Sequence, residues 1–195
     1  MKKRLIILGI LICIFLFFSI VVLSNDTKYD FRQTNWGMSK EQVKATEKNE
    51  IAFEGEEEIN YKVIIGGDEF LCAYLFLEDK LYRSGYLFNE IHTNENDYMD
   101  DYKNLKDILM EKYDKPIVDK IEWKNDLYKE DKSEWGFAIS VGDLVYDTRW
   151  ETNDTEICLR LSGDNYKIYL VLRYDSKELK EWASKILEEK TKSEF

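Results

Sequence analysis

The residues best suited to acid–base chemistry lie around His92, the single histidine of the chain. The stretch NEIHTNEND places Glu90 before it and Asp97 after it. An imidazole beside carboxylates can transfer protons near neutral pH, as an exported enzyme acting on a cell-wall polymer would require. No Gly-x-Ser-x-Gly or cysteine–histidine signature accompanies these residues, and the polar stretch is typical of an exposed loop. Enzymatic function is therefore the alternative hypothesis.

The acidic run 94–101 could suggest a calcium loop. Counted from Asn94, however, Tyr98 occupies the fifth position and no glycine the sixth, so the pattern fails. The pair Gly66-Gly67 lacks the lysine and the spacing of a phosphate-binding loop. We therefore expect no metal site and no cofactor.

Three arginines could form an anion-binding platform. Alternation in the predicted strands 144–150, 155–162 and 166–174 places Arg149, Arg160 and Arg173 on the face opposite the apolar side chains. Keeping the apolar sides together predicts cross-strand pairs of Glu156 with Arg149 and with Arg173. Such pairs are ordinary sheet stabilisers, which favours a solvated face over a binding site.

The hairpin 70–88 is apolar on both sides and supplies the candidate contact residues. A three-residue turn would place Ala73 opposite Gly85. It would put six aromatic side chains and one cysteine on one face: Phe70, Cys72, Tyr74, Phe76, Tyr82, Tyr86 and Phe88. Such a large apolar face must pack either against another part of the chain or against a partner or ligand. Because tyrosine combines contact area with a polar tip, Tyr74, Tyr82 and Tyr86 are the candidate binding residues.

The elements that position these residues follow from periodicity. We predict helices from Ser39 to about Lys48, with a capping box of Ser39 and Gln42, from Asp97 to Tyr113, with Asn96 as a cap, and after Ser176. Strands are predicted at 59–65, 70–77, 81–88, 117–123, 135–141, 144–150, 155–162 and 166–174.

This order predicts an α+β fold with antiparallel meanders and helices packed on one side. We expect one extracytoplasmic domain, 31–195. Its layout suggests a duplicated helix-plus-strands unit with halves 31–92 and 93–195.

The N-terminal segment determines the expected location. Lys2, Lys3 and Arg4 precede an apolar run at 5–23, so segment 1–24 reads as a signal-anchor or signal peptide, and 25–30 as a tether. The positive charges predict a single-pass protein of the cell membrane, with its C-terminal domain outside the cytoplasm. The length favours a retained anchor, although cleavage near Val22-Leu23-Ser24, which would release a secreted protein, stays open.

The exported part is strongly acidic. Three of the 28 basic residues lie in segment 1–24, which leaves 25 against 39 acidic residues and a formal balance of −14. A surface of this charge makes nucleic acid an unsuitable partner. Cys72 and Cys158 are the cysteines that follow the apolar run. Whether they form a disulfide stays open.

Two stretches carry a resemblance to known proteins. FRQTNWGMSKEQV, 31–43, resembles the start of the exported domain in uncharacterised membrane-anchored or lipoprotein-like proteins of low-GC Gram-positive bacteria, and LKDILMEKYDKP, 105–116, resembles their second helix. More distantly, GMSKEQV resembles the helix start of small outer-membrane-assembly lipoproteins, and the layout resembles the β-lactamase-inhibitor-protein fold. The chain lacks a lipobox and a Gly-x-Pro after the first helix, so no functional residue is transferred.

The two distant families are non-enzymatic binding modules, and the resemblance to them implies a similar architecture here. Because the hairpin 70–88 is apolar on both sides, the leading hypothesis is a non-enzymatic, membrane-anchored extracytoplasmic module that binds an envelope protein or polymer through a sheet face. Phe31 and Trp36 are expected to be buried and to fix the start of the domain to its sheet. A purely structural envelope domain is the third interpretation.

Overall fold

The computed structural model describes residues 28–193, and the apolar run 5–23 lies outside them. No helix within 28–193 is long and apolar enough to cross a membrane. The elements follow the order α1 (Lys40–Thr46), β1 (Ile51–Glu54), β2 (Glu58–Ile65), β3 (Asp68–Leu77), β4 (Lys80–Phe88), α2 (Asp97–Tyr113), β5 (Val118–Trp123), α3 (Trp135–Ser140), β6 (Leu144–Glu151), β7 (Thr155–Asp164), β8 (Lys167–Ser176) and α4 (Lys180–Ser193).

The eight strands form one antiparallel sheet in the order β1-β2-β3-β4-β8-β7-β6-β5. Each four-strand group is a meander, and the two groups meet where β4 pairs with β8. The α+β class and the antiparallel meanders are therefore confirmed. The main core lies on one face of this sheet, where α1, α2 and α3 pack, and includes Ile59, Phe76, Leu159 and Leu161.

The first helix begins as the sequence predicts. The Ser39 side chain accepts from the Gln42 backbone N–H, and the Gln42 side chain accepts from the Ser39 N–H, which completes the capping box. Phe31 is buried, as predicted, and packs on the rings of Tyr74 and Tyr174. Trp36 is half-buried and donates its Nε1–H to Thr155 Oγ1 at 2.9 Å. The start of the domain is thus fixed to both meanders.

The second helix spans the predicted residues and is fastened to the second meander. The Tyr102 hydroxyl lies 2.5 Å from Thr148 Oγ1, which in turn lies 3.0 Å from an Asp119 carboxylate oxygen. Lys106 of α2 donates to the same carboxylate. Asn96 makes no side-chain cap, contrary to prediction. Its side chain bridges to the start of α3, accepting from the Gly136 N–H at 2.7 Å.

The predicted strand 135–141 is a helix instead, and that prediction was wrong. Small residues at every second position, Gly136, Ala138 and Ser140, imitate strand alternation, but they serve close packing. A side chain at Gly136 would meet the backbone of Glu95, and one at Gly163 of β7 would meet Ile139 O at 2.2 Å. The sheet therefore accepts α3 in direct backbone contact.

The hairpin β3–β4 differs from the prediction next to its turn. Glu78 and Asp79, both with positive φ, make a two-residue turn in place of the predicted three. A bulge at Tyr82 restores the expected register beyond it, so Ala73 does face Gly85. Near the turn the faces change, and Leu81 joins the main core while Tyr82 points to the opposite face.

The fourth helix lies on that opposite face, so the prediction that helices pack on one side only was wrong. The sequence predicts one apolar stripe along this helix, made of Leu179, Trp182, Ala183, Ile186 and Leu187. The first four of these side chains cover Leu77 and Tyr82, whereas Leu187 is exposed. Strand β1 was not predicted because all four of its residues are exposed at the sheet edge. Cys72 and Cys158 are free and lie on opposite faces, which excludes a disulfide between them.

Candidate functional site

The three candidate tyrosines do not share one exposed face. Tyr74 is fully buried in the main core, and Tyr82 is buried beneath α4 on the other side of the sheet. Tyr86 alone of the three is only partly buried. The prediction of a common tyrosine face is therefore wrong, and Tyr86 is the residue of this set that reaches an accessible site.

An ion pair with a buried carboxylate and a partly exposed arginine lies beside Tyr86. Arg32 Nε donates to Glu47 Oε1 at 2.7 Å and Arg32 Nη2 lies 3.3 Å from Glu47 Oε2, while the Glu47 side chain is 4% exposed. The Tyr74 hydroxyl donates to the same carboxylate, and Asn49 Nδ2 donates to Oε2 at 3.0 Å. Arg32 adopts a left-handed backbone conformation, with φ of 51°, in the tight turn that brings its side chain here.

Fixed protonation states at neutral pH are expected for three side chains of this cluster, Arg32, Cys72 and Tyr86. Burial raises the pKa of the Cys72 thiol and of the Tyr86 phenol to about 12 each. For Arg32 burial lowers the pKa, but the Tyr86 hydroxyl and the Glu47 carboxylate outweigh it and raise the pKa overall. The cluster thus provides a permanent cation and neutral hydroxyls, which suits binding better than nucleophilic or acid–base chemistry.

An apolar cavity opens next to this cluster, between α2 and the strands β3, β4 and β8. Its volume is about 210 Å³. Seven apolar side chains form most of its lining: Ile65, Phe70, Leu105, Ile108, Leu109, Leu170 and Leu172. We call this the apolar compartment.

A polar cavity of about 260 Å³ adjoins it at the C-terminal end of α2. Its lining includes three cations and one carboxylate: Lys28, Arg32, Lys112 and Asp30. We call it the cationic compartment. Tyr86, Lys112 and Tyr174 line both compartments, and we name the two together the α2 groove. One end of the groove is therefore apolar and the other is rich in cationic side chains, and Lys112 lies where the two ends meet.

The residues of the enzymatic hypothesis are only partly gathered. Glu90 and His92 line a shallow depression of about 450 Å³, but Asp97 is outside it and accepts from Asn94 at 2.8 Å. His92 Nε2 lies instead 2.5 Å from Asp101 Oδ2. The rings of Phe88 and Tyr98 pack on the imidazole. The sequence did not identify Asp101 as the partner, because acidic side chains are common in the first turn of a helix, where they interact favourably with the helix dipole.

The arginines lie on the predicted face but with other partners. Arg149 and Arg160 both donate to Asp147, at 2.6 and 3.0 Å, and Arg173 donates to Asp175 at 2.7 Å. The predicted pairs of Glu156 with Arg149 and Arg173 do not form. The actual register places Glu156 opposite Glu151 and Asp175. Each arginine is nonetheless matched to a carboxylate, as the paired-charge interpretation expects, although Asp147 and Asp175 are themselves buried.

Asp147 should make stability depend on pH. Its side chain is 5% exposed, and the hydrogen bond from Arg149, followed by the charges of Arg149 and Arg160, lowers its pKa. A lowered pKa contributes stability above the unfolded value of about 3.9 and loses it as pH falls further.

We expect Asp147→Asn to reduce the free energy of unfolding by about 2 kcal/mol at pH 7. In urea unfolding the difference from wild type should shrink at pH 3, whereas a difference independent of pH would contradict the assignment. Asp126→Asn, at an exposed carboxylate, serves as the control and should show little change at either pH.

Apart from Tyr86, sequence patterns did not single out the residues that build the groove and the ion pair beside it. Arg32 lies inside the conspicuous stretch 31–43 but carried no role of its own, and Glu47 and Lys112 resemble the many other charged residues of helix ends. The left-handed turn at Arg32 has no sequence signature, because glycine is absent there. Within 28–193 no group of three metal-ligating side chains comes together. Comparisons of the chain with family models, with curated proteins and with solved structures found no match.

Proposed function

We propose that this chain is a non-enzymatic, membrane-tethered binding module outside the cytoplasm, and that it binds a component of the cell envelope in the α2 groove. The observation that supports this best is the pairing of an apolar with a cationic compartment in a protein whose net charge is −11. Binding sites are typically concave and largely apolar, with a few polar groups that fix orientation. Tyr86 stands at the junction and is the retained candidate contact.

The tether fits this location. Lys28 lines the cationic compartment and follows the proposed membrane segment 5–23 by only five residues. In this proposal the segment is a retained anchor, and the halves 31–92 and 93–195 are a duplicated helix-plus-meander unit. The resemblance to membrane-anchored proteins of low-GC Gram-positive bacteria supports the same placement.

Labelling of a single cysteine in intact cells tests the placement. Met110 is exposed on α2 and is not part of the groove lining. We expect Met110→Cys to react with a membrane-impermeant maleimide in intact cells, in a background carrying Cys13→Ser and Cys158→Ser. Cys72 can stay because its buried thiol is protonated. Reaction only after cell lysis would contradict an extracytoplasmic domain.

The second candidate function is an exported enzyme acting on a cell-wall polymer. The close His92–Asp101 pair in an open depression is the observation that favours it, because an imidazole held by a carboxylate can act as a general base. Under the binding proposal, His92→Gln leaves ligand binding in the α2 groove unchanged. Polymer hydrolysis by the purified wild-type protein that disappears in His92→Gln would support the enzyme instead.

A further inference from the structure

We propose that the α2 groove binds a single-chain anionic amphiphile taken from the adjacent membrane leaflet, with its carboxylate or phosphate headgroup in the cationic compartment and its hydrocarbon chain in the apolar compartment. This inference rests on the proposed function, because it names the ligand class of the same groove.

The cationic compartment fits an anionic headgroup. Glu47 neutralises Arg32, but Lys112 forms no salt bridge with any residue in 28–193, and its ammonium lies 4.9 Å from the centre of the Tyr113 ring. Lys28 contacts Asp154 only at 3.7 Å, with both side chains well exposed. With Arg32 neutralised, Lys28 and Lys112 exceed the one carboxylate of the lining, Asp30, by a single positive charge. Such an excess on an otherwise acidic surface attracts anions and repels cations. The Thr152 and Tyr113 side chains add hydroxyls to the lining.

The apolar compartment fits a flexible hydrocarbon chain. Phe70, Leu109, Leu170 and Leu172 form a buried floor, while Ile108 at the open side is 56% exposed. A ligand that covers this exposed apolar side chain removes it from water, and this removal favours binding. The compartment holds about 210 Å³, which leaves room for one chain in preference to two. Because Lys112 and Tyr86 line both compartments, a chain can continue directly from the bound headgroup.

The position of the tether identifies the source of the ligand. Lys28 in the cationic compartment lies five positions after Leu23, the end of the proposed membrane segment. A fully extended chain of this length spans at most about 17 Å. The cationic compartment must therefore stay within that distance of the membrane surface, where membrane amphiphiles are the most concentrated anionic and apolar molecules.

Photo-crosslinking of the full chain tests this inference. The protein is reconstituted in nanodiscs of phosphatidylcholine that contain a small fraction of a fatty acid with a diazirine on its chain, and the labelled residues are mapped by mass spectrometry. We expect label on α2 and β4 residues of the apolar compartment. A long-chain amine with the same diazirine should label this compartment about tenfold less.

Two variants and a control sharpen the result. Lys112→Glu should reduce labelling by the fatty acid about tenfold, and Ile108→Asp should reduce labelling by both probes. Lys103 is an exposed lysine outside the groove lining, so Lys103→Glu should leave labelling by both probes unchanged. Equal groove labelling by the acid and the amine would overturn the anionic ligand but leave the proposed function standing. Label confined to residues 1–27 would overturn the amphiphile altogether. The proposed function itself fails separately, if Met110→Cys reacts only after lysis.

Discussion

Replacement of Arg32 by methionine is expected to lower the free energy of unfolding by about 3 kcal/mol. The Glu47 carboxylate would stay buried, with Tyr74 and Asn49 as its remaining donors, after it lost the cation that neutralises it. Removal of the arginine would leave the buried carboxylate without a compensating charge, and the cost of keeping that carboxylate out of water dominates the loss. Urea unfolding of the exported domain at pH 7 measures the effect.

Two further variants separate this cause from a general loss of packing. Lys48→Met removes an exposed cation near the end of α1 and should change the free energy of unfolding by less than about 0.5 kcal/mol. The double variant Arg32→Met/Glu47→Leu should lose less than the sum of its two single variants, because neither charge is then left alone. Strict additivity of the two losses would contradict the ion pair as the cause.

Gly163→Ala is expected to cost about 3 kcal/mol of unfolding free energy. The new Cβ would lie 2.2 Å from Ile139 O and 2.8 Å from Lys167 O, and both are backbone atoms that cannot rotate away. Relief of this overlap requires α3 to move off β7. Because Asn96 links α3 to the start of α2, we also expect faster amide hydrogen exchange in the first turn of α2.

Gly55→Ala provides the matched control for this prediction. Its Cβ would approach only the ring of Phe53, at 3.0 Å, and that exposed side chain can rotate. We expect a change within about 1 kcal/mol. If Gly163→Ala were tolerated as well as Gly55→Ala, the direct contact of α3 with the sheet would be refuted.

The sequence predicted those elements whose signals are local and strong. The capping box at Ser39 and the apolar periodicity of 97–113 identify α1 and α2 because each depends on spacing along one helix. Segment 135–141 was misassigned because small residues that permit close packing also alternate like a strand. Tyr82 was assigned to the wrong face because a two-residue turn followed by a bulge cannot be distinguished in sequence from a three-residue turn.

The candidate site was harder to predict because its residues meet only in three dimensions. Tyr86 was named among the contacts, but Arg32 and Lys112 come from segments 80 residues apart and share the cationic compartment through the packing of α2 on β6, β7 and β8. Tyr74 belongs to the same cluster as Arg32, yet it is buried beneath Glu47 and serves the ion pair. Burial of this kind depends on tertiary contacts that periodicity does not reveal.

Occupancy of the α2 groove in cells is the most direct test of the central claim. Ile108 lines the groove and is 56% exposed, whereas Met110 lies outside it and is 40% exposed, so an empty groove predicts that position 108 reacts at least as fast. With the impermeant maleimide on intact cells, we expect Ile108→Cys to react more slowly than Met110→Cys. Detergent extraction that removes bound amphiphile should abolish or reverse that difference. Equal or faster reaction of Ile108→Cys in intact cells would contradict a ligand in the groove.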